Sequence, residues 1–207
     1  MSYKTEQEAF WAGQFGDEYR ERCALKPELV AARTACMARM LRKAAPVGSA
    51  FEVGCNIGLN LVALKNVSPA TELDAIEINA ESAKAANALG IAKVEAASVL
   101  EYEPARTYDL TMICGVLIHL NPEVLPQVYD VLFNASNRHI LLFEYYNPTP
   151  VEVNYRGHEG RLFKRDWAGE MLDRFKGQLE LKDYGFFYHR DPISWSDDGT
   201  WFLLEKR

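Results

Sequence analysis

The chain has 207 residues, 48% of them apolar and 25% charged, a size and balance that suit one globular domain with a sizeable core. Its net charge of −6, spread without a block of like charges, argues against general nucleic-acid binding and against an anionic membrane surface. No stretch approaches the roughly 18 uninterrupted apolar residues of a membrane span, and the opening MSYKTEQEAF is too polar and acidic for a signal or transit peptide.

The first 26 residues read as a helical cap appended to an α/β core over 27–207, with no repeat and no second-domain boundary inside 1–207. Residues 27–44 follow as a helix, opened by Pro27 and carrying Val30, Thr34, Met37 and Leu41 at helical spacing. SAFEVG is a short buried strand, IGLNLVALK a helix, and TELDAIEIN a second strand. AESAKAANALG is a helix, capped by Asn79 and closed by Gly90. AKVEAASVL and YDLTMICGVLI hold the third and fourth strands, PQVYDVLFNAS a helix, and RHILLFEYY the fifth strand. This alternation predicts a doubly wound, mostly parallel sheet covered on both faces. Residues 147–163, rich in Pro and Gly, read as a loop, followed by a helix with Trp167, Met171 and Phe175 on one face. LELKDYGFFYHR and TWFLLEKR are two closing strands, antiparallel across the short polar turn DPISWSDDG. Cys23, Cys36, Cys55 and Cys114 are scattered with no C-x-x-C, so reduced thiols, a cytoplasmic setting and no metal are expected.

In such sheets ligands bind at the carboxyl ends of the strands, where strand order reverses. The first such turn is EVGCNIGLN, with the pattern Glu52-x-Gly54-x-Asn56-x-Gly58. A dinucleotide fingerprint would need glycine also at the positions of Asn56 and Leu59, and both are missing. Glu77, at the end of the second strand, stands where an acid hydrogen-bonds both hydroxyls of an unphosphorylated ribose. Glu52 is unwelcome beside a pyrophosphate but suits a ligand with a positive group. A strand acid, a two-glycine loop and a ribose acid fit S-adenosylmethionine better than NAD.

On these residues, and on YDLTMICGVLIHLNPE with its histidine after the fourth strand, the chain resembles the class I S-adenosylmethionine-dependent methyltransferases. The resemblance implies a Rossmann-like methyltransferase fold with seven strands, the last antiparallel, and S-adenosylhomocysteine as product. It adds Ile78, Val99 and Gly115 to the expected cofactor set. VEAASVLEYEP looks like the adenine-contacting segment, with Ser98 where that family usually has an acid, which leaves backbone or Val99 to make the contact. A narrower resemblance, carried by TEQEAFWAGQFGDEY, CNIGLNL, GVLIHLNP, EYYNPTPVEVNYRGH, LFKRDWAGE, DYGFFYHRD and TWFLLEKR, is to the methylases associated with pseudaminic acid biosynthesis. It implies an acidic nine-carbon sugar, its precursor or its nucleotide-linked form as the small-molecule acceptor.

The acceptor must lie near the ends of strands four and five. His119 is either a general base or acceptor orienter, or a histidine capping the next helix. Glu144, Tyr145 or Tyr146 would line the acceptor pocket, although neighbouring tyrosines on a strand cannot both face inward. Tyr155, Arg156 and His158 sit on a glycine-bearing loop, and Arg156 offers a fork for a carboxylate or phosphate. His189 and Arg190 end the sixth strand and are weaker candidates. Trp11, Phe15, Tyr19 and Arg20 are candidates for a lid over the cofactor, with ordinary packing as the other reading of Trp11 and Phe15. Rival functions are an NAD-dependent oxidoreductase or epimerase, and a non-catalytic binding scaffold.

Overall fold

Residues 3–194 and 196–207 are described by a computed structural model. The chain opens with two short helices, α1 (Glu6–Ala12) and α2 (Gln14–Arg22), and then α3 (Pro27–Met40). The core alternates β1 (Ser49–Val53), α4 (Leu59–Val67), β2 (Glu72–Glu77), α5 (Ala80–Asn87), β3 (Lys93–Ala96), β4 (Tyr108–Cys114), α6 (Leu125–Ala135) and β5 (Ser136–Glu144). After a short pair, β6 (Val151–Glu152) and β7 (Phe163–Lys164), come α7 (Trp167–Arg174), β8 (Leu179–Phe187) and β9 (Gly199–Lys206).

Seven strands form one sheet in the order β3-β2-β1-β4-β5-β9-β8. The first five are mutually parallel, and β9 runs antiparallel to both β5 and β8. Both faces are covered, which is why β4 is apolar on both sides of its pleat: Met112 enters the core under α3 and α4, while Ile113 enters the one under α6 and α7. The order reverses between β1 and β4, so a crevice opens at their carboxyl ends. Among the described residues no helix is long and apolar enough to cross a membrane.

Three boundaries differ from the sequence reading. The helix expected over 27–44 ends at Met40 and finishes in turn residues. The strand expected to include His189 and Arg190 stops at Phe187, because His189 N–H donates to Asp198 (3.0 Å) and Asp191 receives the amides of Ile193 and Ser194 (2.8 Å each) to form a turn. Residues 147–163 are not a plain loop. β6 pairs antiparallel with β7, and Tyr155 and His158 exchange two backbone hydrogen bonds of 2.9 Å. Arg156 and Gly157 between them have φ of 53° and 87°, the left-handed pair that a two-residue hairpin turn demands.

Candidate active site

The loop after β1 is set by its glycines. Gly54 has φ +75° and sits so close to Val116 that a Cβ would meet Val116 Cγ2 at 2.5 Å. Gly58 has φ +90° and faces Leu89, whose Cδ1 would lie 2.8 Å from a Cβ, so it lets α4 start hard against α5. Glu77 ties this loop to the next one. Its Oε2 accepts the Asn56 amide (2.7 Å) and its Oε1 the Asn79 amide (2.9 Å). Burial raises its pKa, opposed by the amides of Asn79, Asn56 and Ile78. Asn79 caps α5 by accepting from Ser82 N–H (2.9 Å) and donates to Asp17 of α2 (2.8 Å).

Beneath the loop, Glu52 is fully buried and its pKa is pushed up to about 8 by that burial, with the Asn60 hydrogen bond and Arg33 pulling it down. Its Oε1 accepts from Asn60 Nδ2 (2.6 Å). The other acceptors of this pair, Glu52 Oε2 and Asn60 Oδ1, are buried and have no hydrogen-bond partner among the described residues.

Across the crevice, Glu144 ends β5 with its carboxylate turned onto backbone. It accepts the amides of Val116 and Leu117 (3.0 Å each) and Ile118 (3.5 Å), capping the single 3-10 turn Leu117–His119. This is the physical reason it does not line an acceptor pocket. Burial pushes its pKa up to about 8 against those amides. His119 lies at the end of the turn, its Nδ1 2.6 Å from the carbonyl oxygen of Arg161. A carbonyl only accepts, so Nδ1 carries the proton and Nε2 presents a lone pair. Burial lowers the His119 pKa to about 4, so the ring is neutral near pH 7.

The first two helices roof this floor. A cavity of about 170 Å³, open to solvent on one side, lies between them and the strand ends. Gly54, Asn56, Glu77, Ile78, Ser98, Val99 and Gly115, all named from sequence, line it, with Glu52 buried below and Gly58 behind the loop. Tyr19 and His119 line it too. A Cβ on Gly115 would meet no atom within 4 Å, so the wall there is open backbone. Sequence reasoning missed Gln7, Glu8 and Asn79 in the lining. The Thr5–Glu8 capping box signalled a helix start but not where that helix docks.

The roof is an aromatic seam. Trp11 lies 4.6 Å from His119, 5.3 Å from Tyr19 and 6.3 Å from Tyr155 between ring centroids, and Tyr155 lies 4.9 Å from His119. His158 packs on the outside of the roof against Phe10 (5.1 Å) and Phe15 (5.7 Å). Arg156 is exposed at the hairpin tip, its guanidinium 5.6 Å over the Tyr155 ring. Tyr145 donates to Asp197 Oδ2 (3.0 Å) from the β8–β9 turn. Burial holds the Tyr19 phenol at about 12, and burial and Asp197 raise that of Tyr145, so neither ionises near neutral pH. Arg20 keeps a buried Nε with no partner among the described residues.

Tyr146 is a correction to the sequence reading. Strand alternation turns it outward, 39% exposed and 5.9 Å from Phe202, away from the cavity. His189 and Arg190 also fall outside, His189 being held by Asp198 at 2.9 Å.

No protein-family model and no curated protein matches the chain. Solved structures do. The magnesium protoporphyrin IX methyltransferase ChlM from Synechocystis PCC 6803 with bound SAH superposes with a TM-score of 0.71 at 11% identity, over 98% of this chain and 100% of that one. The plantazolicin methyltransferase BpumL in complex with SAH gives 0.66 at 14% identity, over 97% of this chain and 94% of that one. The N-methyltransferase NodS from Bradyrhizobium japonicum WM9 gives 0.66 at 14% identity, over 87% and 98%. Such low identities speak to architecture, and the architecture is unambiguous: the chain has the seven-stranded Rossmann-like methyltransferase fold.

Proposed function

We propose that the protein is an S-adenosylmethionine-dependent methyltransferase acting on a small polar acceptor. The observation that carries this reading is the pair of unpartnered buried acceptors, Glu52 Oε2 and Asn60 Oδ1, beside the Gly54 loop. An ammonium group there would satisfy both oxygens and draw Glu52 into its charged form. Glu77 would receive the ribose hydroxyls on the lone pairs its two amide bonds leave free. Gly54 and Gly115 let backbone approach the ligand on either side. When bound, the cofactor supplies an electrophilic methyl group on a sulfonium.

The chain's own part is to align the acceptor, exclude water and receive a proton. Alignment alone can supply roughly 7–11 kcal/mol of a two-reactant barrier. Trp11 and Tyr19 close the cavity beside His119, and Tyr155 packs on the His119 ring. His119 Nε2 is the unprotonated group able to take the proton of an acceptor hydroxyl or amine. Arg156, exposed at the hairpin tip over Tyr155, would receive an anionic group. That role, together with the resemblance of the chain to methylases associated with pseudaminic acid biosynthesis, supports an acidic nine-carbon sugar or its nucleotide-linked form as the acceptor. Residues 1–26 act in this reading as the cap of a single domain, and a reduced, cytoplasmic setting suits the four unpaired thiols.

Calorimetric titration with S-adenosylhomocysteine and, separately, with NAD tests the cofactor reading. Tight binding of the first and none of the second is expected; the reverse would make the protein an oxidoreductase or epimerase. Binding without methyl transfer to any acidic sugar or amine in a cell extract, read as a mass gain of one CH₂, would leave a scaffold.

A further inference from the structure

The cavity has a second end, past Glu77. The sheet runs β1-β2-β3, so a nucleoside whose sugar meets Glu77 at the end of β2 extends its base over the end of β3. There the wall is Ile78, Ala97, Ser98 and Val99 from the core and Gln7 and Glu8 from α1. Glu8 is 4% exposed and is the carboxylate of that wall among the described residues. Its Oε2 accepts the amides of Lys4 (2.8 Å) and Thr5 (3.0 Å). Its Oε1 accepts the Ser98 hydroxyl, whose oxygen in turn receives the Leu100 amide (3.0 Å). The Lys4 ammonium donates to the Leu100 carbonyl (2.7 Å), which pins the same helix start to the same segment.

From this we infer that Glu8, on the cap helix rather than on the sheet, selects the base of the bound nucleoside; the inference rests on the cofactor reading above. One oxygen of Glu8 caps its own helix. The other takes the Ser98 hydroxyl in the wall at the base end of the cavity, which leaves it a further lone pair. A buried acceptor there rewards a base edge that donates, such as the exocyclic amine of adenine. It penalises an edge that presents a carbonyl in the same place, as hypoxanthine does. A second consequence is that the roof is part of the cofactor site: the base is gripped only while α1 is docked on Ser98.

The test compares S-adenosylhomocysteine with its inosine counterpart by calorimetry, on the wild-type chain, on Glu8→Gln and on Glu8→Gln/Ser98→Asp. Glutamine keeps an oxygen for the helix cap, so melting should stay close to wild type while the carboxylate is lost. Wild type should bind the adenosyl compound and reject the inosyl one. Glu8→Gln should lose about tenfold or more in adenosyl affinity and narrow the gap between the two, since a hydrogen bond to a charged group is worth roughly 1.5–3 kcal/mol. Returning a carboxylate from the segment after β3 in the double variant should restore much of the discrimination. If Glu8→Gln binds and discriminates as wild type does, Glu8 is a helix cap only and the inference falls. If wild type itself binds neither compound, the cofactor reading falls first and this inference with it.

Discussion

Both oxygens of Glu77 already serve the chain, one on the Asn56 amide and one on the Asn79 amide. Glu77→Ala should therefore do more than remove a ribose contact. It strands two amides, each costing about 1–3 kcal/mol if left unpaired, so a lower melting temperature should accompany the loss of S-adenosylhomocysteine affinity. Glu77→Gln, which keeps one acceptor, should recover more stability than binding; calorimetry and thermal melts on both variants separate the two effects. His119 differs. Its ring is already neutral well below pH 7, so the pH–rate profile should lack a limb near 6.5, and kcat should fall only as pH drops toward about 4. His119→Ala should lower kcat by about 10²–10⁴ with a smaller change in KM, as removal of a base does. Arg156→Ala should do the opposite, raising KM for an anionic acceptor and leaving cofactor affinity unchanged. Arg156→Lys should rescue only part, since an ammonium lacks the bidentate fork.

Among the elements, the turn after β4 shows best what a sequence reading reaches and where it stops. The apolar run of β4 and the histidine after it were legible because strand periodicity and position on a sheet edge are local facts. The role of Glu144 was not. It depends on β5 lying beside β4, which brings a carboxylate under three amides distant in sequence. The same limit hid the docking of α1, whose contacts with Ser98 and with Gly160 (Gln7 Nε2 to its carbonyl, 2.9 Å) span 90 and 153 positions. It also hid the tight turn at Arg156–Gly157, since Arg is an uncommon residue at positive φ. Glu144→Leu removes the cap of the His119 turn and should destabilise the fold by about 3 kcal/mol or more, three buried amides losing their acceptor. Glu144→Gln should fold and show reduced turnover with normal S-adenosylhomocysteine binding, as expected of a residue that positions His119.

Across the whole molecule the buried carboxylates set the response to pH. Glu52 and Glu144 have pKa values raised from 4.5 to about 8, so between those values the folded chain holds protons that the unfolded chain has released. Stability must then fall as pH rises through that window. His119 and His139 have lowered pKa values, so their contribution is present above about 6.5 and is lost as pH falls below it. The two trends oppose each other below about 6.5 and only the carboxylate trend remains above it, so melting temperatures should be higher at pH 6.5 than at pH 8.5. S-adenosylhomocysteine should flatten the slope, because an ammonium beside Glu52 favours its charged form. An unchanged slope with ligand bound would remove Glu52 from the cofactor site.

The roof over the cavity also has a consequence for traffic. Asp17 grips Asn79, the Asn56 side chain donates to Cys23 Sγ (3.3 Å), and Glu8 grips Ser98, so the fastenings of the cap are made with residues of the cofactor floor. In the proposed reading a nucleoside on that floor would be held by those fastenings, whereas Arg156 is exposed at its hairpin tip. An acceptor at that tip would then exchange while the nucleoside beneath stays put. Turnover in that reading should be ordered, with the nucleoside first in and last out, and its spent form should compete with its fresh form for the same empty protein.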